Sequence, residues 1–141
     1  MKFNEYVKGK SYRTESIQLS KKDIIDFAKF YDPQYMHIDE TKAKEGRFGS
    51  LIASGMQTMN TSFKLWVELG LYGEDIVAGT GMNHIKFIKP VFPDDEIHVL
   101  AEVVDLAPKR NYGGIVTVLL TTFNQHNEKV FQAELSALIS N

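Results

Sequence analysis

The chain has 141 residues, enough for one well-buried core and short of a comfortable second one. Apolar residues make up 43% and charged residues 24%, the balance of an ordinary globular protein rather than a disordered chain. A net charge of −2 lacks the basic excess of a dedicated nucleic-acid binder, and the absence of cysteine rules out disulfides, thiol nucleophiles and Cys-based metal sites.

Residues 1–16 carry no apolar run of the kind found in a secretory leader, and no segment reaches membrane-spanning length. A cytoplasmic location and no membrane partner are expected. Residues 1–141 read as one domain, without a repeat, linker or low-complexity tract.

A first strand is predicted over residues 12–19. Ser20-Lys21-Lys22-Asp23 then has the form of a capping box, in which the serine and the acid each satisfy an orphan N–H at a helix start. Ile24, Phe27, Ala28 and Tyr31 follow at helical spacing and predict one buried stripe. Pro33 disfavours helical geometry at the preceding residue, so the helix stops near Tyr31 and Asp32 sits where the chain turns. Asp39 is placed to cap a second short helix running through Lys44 and ended by Gly46.

The main helix is predicted over residues 55–69. Met56, Met59, Phe63, Trp66 and Val67, with the small polar Asn60, Thr61 and Ser62, leave Lys64 and Glu68 as its only ionic residues. A helix so poor in charge is expected to be wrapped by other structure, with Phe63 and Trp66 in the core. Strands follow over 84–91, 96–106, 112–124 and 129–140, all rich in β-branched and aromatic residues. In the last, Phe131, Ala133, Leu135, Ala137 and Ile139 alternate with Gln132, Glu134 and Ser136, the pattern of a half-buried antiparallel strand. Residues 125–128 supply the hairpin turn before it. The simplest packing is an α+β one, a long central helix wrapped by a curved antiparallel sheet, which is a single hotdog fold.

Chemistry concentrates between Phe27 and Met56. Asp32 stands five residues before His37 on one short segment, and a helix start follows at Ser54-Gly55-Met56. A carboxylate and an imidazole held this way can share a proton, and a helix N-terminus offers backbone N–H groups to developing negative charge. Addition of water across an activated double bond needs that combination. Each residue also has an ordinary structural use: Asp32 as a turn former before proline, His37 as a backbone-bonded histidine, Gly55 as a site of close packing. His84, His98 and His126 show no metal-ligand spacing, so no metal site is expected. Lys42, Lys44, Arg47, Lys86 and Lys89 read as solvated charge, with phosphate contacts as the alternative.

Three segments in this order resemble the MaoC-like dehydratase family, the (R)-specific enoyl-thioester hydratases, over nearly the whole chain. The first is Phe27-Ala28, Asp32, His37 and Asp39, with Gln34-Tyr35 in place of the family's Asn-Pro turn and the proline moved to Pro33. The second is Leu51-Ile52-Ala53-Ser54-Gly55-Met56, with Ser54 where the family carries histidine. The third is Phe87-Ile88-Lys89-Pro90-Val91 followed by Pro93-Asp94-Asp95.

The resemblance implies a hydratase or dehydratase that interconverts 2-enoyl and 3-hydroxyacyl thioesters of coenzyme A or an acyl carrier protein, with no metal or redox cofactor. It implies Asp32 and His37 as the catalytic pair holding the water, acid and base roles unassigned because the pair titrates as a unit. The Gly55 N–H would polarise the thioester oxygen, with Ser54, Met56 and Tyr35 beside the substrate and Tyr35 narrowing the acyl entrance. A small hydroxyl that many hydratases carry in the central helix falls at Ser62 or Phe63. A homodimer, or a multiple of dimers, with sites at the subunit interface is implied as well. Two other readings share the fold. A thioesterase would place a carboxylate at the start of the central helix, where this chain has none before Glu68. A non-catalytic acyl-thioester-binding subunit is suggested by the altered turn at Gln34-Tyr35.

Overall fold

The structure, a computed structural model describing all 141 residues, runs β1 (Ser11–Arg13), β2 (Ile17–Gln18), α1 (Lys21–Tyr31), α2 (Tyr35–Ile38), α3 (Glu40–Glu45), α4 (Gly55–Glu68), β3 (Ile76–Phe87), β4 (Glu96–Lys109), β5 (Gly113–Phe123) and β6 (Lys129–Ile139). Every strand pairing is antiparallel, and the sheet order is β1-β4-β5-β6-β3 with β2 also on β4. This is the α+β arrangement expected.

The alternating residues of β6 explain how helix and sheet meet. Phe131, Ala133, Leu135, Ala137 and Ile139 are all buried. Leu65 and Trp66 of α4 share a core with Val99, Ala101 and Val103 of β4, Val116, Val118 and Leu120 of β5, and the lower half of β6. Burying each large side chain of this kind contributes about 1.5–3 kcal/mol. A second cluster joins Ile24 of α1 and Ala53 to Ile97, Val130 and Phe131, and so ties the first turn of α1 and the approach to α4 to the same sheet.

Local chemistry sets the helix ends. The Asp23 N–H donates to Ser20 Oγ at 3.1 Å and the Ser20 N–H to Asp23 Oδ2 at 3.4 Å, completing the capping box of α1. Asp32 is its C-cap, in a non-helical conformation before Pro33. Asp39 caps α3 by accepting the Lys42 N–H at 3.1 Å.

Several expectations need correction. The strand predicted over 12–19 is two strands, because Thr14 breaks the ladder: its Oγ1 accepts the Val99 N–H at 2.9 Å in place of a backbone carbonyl. The strand predicted over 84–91 is β3, which begins eight residues earlier and ends at Phe87. Beyond Phe87, the Ile88 and Lys89 N–H groups both reach the Val130 carbonyl and Pro90 has no N–H to give, so the chain leaves the sheet. Tyr31 of the predicted buried stripe is exposed, as is Phe30.

The central helix is wrapped on one face only. Met56 (50% exposed), Phe63 (46%) and Val67 (40%) form an apolar stripe on the other, so Phe63 is not a core residue. The edge strand β3 lies open beside it, exposing Val77, Met82, Ile85 and Phe87. No helix is long and apolar enough to cross a membrane.

Candidate active site

The end of α1, the one-turn helix α2 and the start of α4 converge on a cavity of about 340 Å³. Its walls carry Asp32, His37, Ser54, Gly55, Phe48 and Phe87. Asp32 reaches it because the chain turns at Pro33, where the Gln34 N–H donates to the Asp32 carbonyl at 2.8 Å. His37 reaches it from α2, which is pinned to the approaching strand-like segment by the Ile52 N–H donating to the Met36 carbonyl at 3.1 Å.

His37 Nε2 lies 3.2 Å from Asp32 Oδ2, with His37 almost fully buried and the Asp32 side chain 17% exposed. His37 Nδ1 lies 2.7 Å from the Ile52 carbonyl. A carbonyl only accepts, so Nδ1 carries a proton and Nε2 is the ring nitrogen left to face Asp32. The contact between Nε2 and Oδ2 is therefore completed by one proton, or by a water that supplies one. A pair built this way can take up and return a single proton.

Asp32 is held from two further sides. Ser54 Oγ donates to Oδ2 at 2.6 Å and Gln34 Nε2 donates to Oδ1 at 2.6 Å. Partial burial pushes the carboxyl up, but the hydrogen bonds from Ser54 and Gln34, together with the facing His37, outweigh it and hold Asp32 below the ordinary carboxylate value.

Gly55 is the first residue of α4, and its N–H finds no acceptor within the chain. That leaves a backbone donor at the positive end of a 14-residue helix, on the wall of the cavity that holds the pair. Ser54 caps the helix by accepting the Met56 N–H at 3.2 Å. Met56, half exposed, lines the rim.

Tyr35 is not in this cavity. It lines a separate small one with Met36, Ala43, Gly46, Arg47, Phe48 and Ser50, on the side of α3. Phe48, from the bend between Gly46 and Gly49, is the aromatic that lines both. Ser62, one of the two positions where the small hydroxyl of many hydratases falls, is turned to the sheet: it donates to the Thr58 carbonyl at 2.7 Å and shares a hydrogen bond with Thr122 Oγ1 at 2.6 Å. Gln34, Phe48 and Phe87 are site residues that sequence reasoning did not select; Gln34 two residues after Asp32, across a proline, is the one with a local signal.

There are two further cavities of similar size. One of about 390 Å³ lies further along α4, lined by Met59, Phe63, Tyr72, Ile76, Met82 and Leu135 among others, and is apolar. The other, polar, shares Lys89 and Pro90 with the site and adds Asp95, His126 and Glu128. Lys89 is ion-paired with Glu128, so it is not a free cation there.

Residues 3–124 match the family described as MaoC like domain. The uncharacterized protein YdeM of Bacillus subtilis (strain 168) is 58% identical over 139 residues, 99% of each chain. Among solved structures, a monoamine oxidase regulatory protein from Archaeoglobus fulgius superposes with a TM-score of 0.93 at 30% identity, covering 100% of this chain and 95% of the other. A MaoC-like dehydratase from Rhodospirillum rubrum gives 0.91 at 28%, covering 100% and 97%. The R-hydratase PhaJ1 from Pseudomonas aeruginosa, at 24% identity and 0.78 over 99% and 86%, shares the fold. The chain belongs to the MaoC-like dehydratase family and has its hotdog fold.

Proposed function

We propose that the protein hydrates 2-enoyl thioesters, and dehydrates (R)-3-hydroxyacyl thioesters in reverse, using Asp32 and His37 to hold and activate the water. The observation that carries this reading is the 3.2 Å pair of His37 Nε2 and Asp32 Oδ2 set in one cavity with the unpartnered N–H of Gly55. Water oxygen adds to the β-carbon as one member of the pair takes its proton. The other delivers a proton to the α-carbon, and the negative charge passing through the thioester oxygen is met by the Gly55 N–H. The carrier is coenzyme A or an acyl carrier protein, and the reaction calls on no metal or redox group. Membership of a dehydratase family and the shared fold of an R-hydratase support the assignment. The apolar cavity beside Met59 and Phe63 is suited to the acyl chain.

A homodimer is part of this reading. β3 is an edge strand with unpaired backbone groups and four exposed apolar side chains, beside the exposed stripe of α4. An edge of this kind invites pairing with another chain. Phe87 is both the end of β3 and a wall of the cavity, so a second subunit docked there would stand next to the site.

Hydrolysis is disfavoured by the same geometry. The first carboxylate of α4 is Glu68, at the far end of the helix and paired with Lys64 at 2.8 Å. The deciding experiment follows the loss of enoyl-thioester absorbance over a panel of chain lengths and branched acyl groups, with chiral analysis of the product. Formation of the (R)-3-hydroxyacyl thioester is expected; release of free thiol without hydration would sink the proposal in favour of a thioesterase, and no turnover of any thioester would favour a binding subunit.

A further inference from the structure

We propose that Ser54 is a positioning residue for Asp32: its hydroxyl, anchored on the first turn of α4, fixes the carboxylate oxygen that faces His37. In the sequence Ser54 is a departure from the family pattern and a candidate substrate contact. In the structure it is fully buried, and its hydroxyl has two partners. It accepts from the Met56 N–H at 3.2 Å and donates to Asp32 Oδ2 at 2.6 Å. A hydroxyl with its proton committed on one side and a lone pair on the other has no rotational freedom left. The same Oδ2 is the atom 3.2 Å from His37 Nε2, while Oδ1 takes the Gln34 bond at 2.6 Å. Turning the carboxylate about its own axis would therefore break a short hydrogen bond at either end.

The connection runs from the positive end of α4 through Ser54 to Asp32. A backbone N–H in the first turn of a helix carries part of the helix's positive charge, and Ser54 relays it to the carboxylate. Few other ionisable groups face the carboxylate. The titratable groups facing Asp32 are His37 from α2 and, across the cavity, Lys89, which is engaged by Glu128. The helix itself brings no ionic side chain before Lys64.

This inference rests on the hydratase reading for its kinetic consequences only, so its test has a readout that does not need turnover. The Asp32 carboxyl, labelled with carbon-13, is followed by NMR through a pH titration in the wild-type protein, Ser54→Gly, Ser54→Ala and Ser54→Thr. Glycine is tolerated at a helix N-cap, so Ser54→Gly removes the donor while leaving the helix start; Ser54→Ala keeps more of the side chain and must agree with it. In both, the Asp32 midpoint is expected to rise toward the ordinary carboxylate value, and Ser54→Thr to restore it. Hydration should show the same order. In the two donor-free variants kcat should fall by at least about tenfold, the worth of one hydrogen bond to a charged group, with the KM for thioester little changed and the acid limb of the pH profile moved to higher pH. An Asp32 titration unchanged in folded Ser54→Gly and Ser54→Ala overturns the proposal and leaves the hydratase reading untouched. Wild-type protein that hydrates no thioester overturns the hydratase reading, and the titration still decides the role of Ser54.

Discussion

The ring of Phe87 fills the space that a side chain on Gly55 would need: a Cβ at that glycine would lie 2.6 Å from Phe87 Cδ1. Gly55 thus serves two ends, an open approach to its N–H and room for an aromatic wall contributed by the last residue of β3. Phe87 is itself 57% exposed and packs on Phe131 with ring centroids 5.7 Å apart, so it can swing outward at modest cost.

Gly55→Ala should therefore fold with a near-normal melting temperature yet lose activity, because the displaced ring reshapes the cavity beside the Gly55 N–H. Misplacing a substrate by a fraction of an ångström is expected to lower kcat/KM on the order of tenfold to a hundredfold. The double variant Gly55→Ala/Phe87→Ala should recover part of that loss. If it recovers none, the alanine methyl blocks the N–H directly and Phe87 is only a neighbour.

The assembly is tested on β3. Val77 and Ile85 are 60% and 41% exposed, so lysine at both positions should change the stability of a lone chain little, roughly within 0.5 kcal/mol each. In sedimentation the wild-type protein is expected at the mass of the proposed dimer, and the double variant at half that mass with reduced hydration activity. A wild-type protein that sediments as a fully active monomer would remove the shared site.

How much of this was legible beforehand depends on the range of the forces involved. The ends of α1 follow from Ser20, Asp23 and Pro33, whose effects act within one turn, and β6 follows from strict alternation. The start of β3 is not legible because Gly79 and Gly81 weaken its strand character and three register shifts break its period, with His84 in the left-handed region at φ 54°. Asp32 and His37 were legible as a spacing. The side on which Tyr35 lies depends on residues 35–38, which carry no helix signal in the sequence. They form a helical turn, and two positions along a helix point about 200° apart, so if His37 faces the cavity Tyr35 faces away. The contacts of Gln34 and Ser54 with Asp32 depend on how the turn at Pro33 meets the start of α4, and no local pattern encodes that meeting.

Stability should depend on pH through Asp32. Its folded-state value lies below the unfolded one of about 3.9, so its ionised form stabilises the fold above that value and the contribution is lost as pH falls through the lower, folded value. Asp32→Asn carries no such charge. The gap in melting temperature between wild-type and Asp32→Asn should narrow as pH is lowered below about 4, within the window set by those two values. A gap that stays constant from neutral pH downward would mean that the carboxylate has no preferential stabilisation in the fold.

The decisive test of the pair is kinetic. Asp32→Asn keeps the shape of the side chain, including an oxygen that can accept from Ser54 or Gln34, but removes its charge and basicity. His37→Ala removes the imidazole that bonds the Ile52 carbonyl and faces Oδ2. If the two groups activate one water, losing either should remove most of the catalysis, at least about two orders of magnitude in kcat. The double variant should be little worse than the worse single one, because groups acting on the same proton are not additive. Thioester binding, measured calorimetrically with a non-reactive acyl analogue, should survive in all three, since the Gly55 N–H and the apolar cavity are untouched. Asp32→Asn that hydrates a good substrate at near wild-type rate would reduce Asp32 to a turn former before Pro33, and the mechanism proposed for this cavity would fall with it.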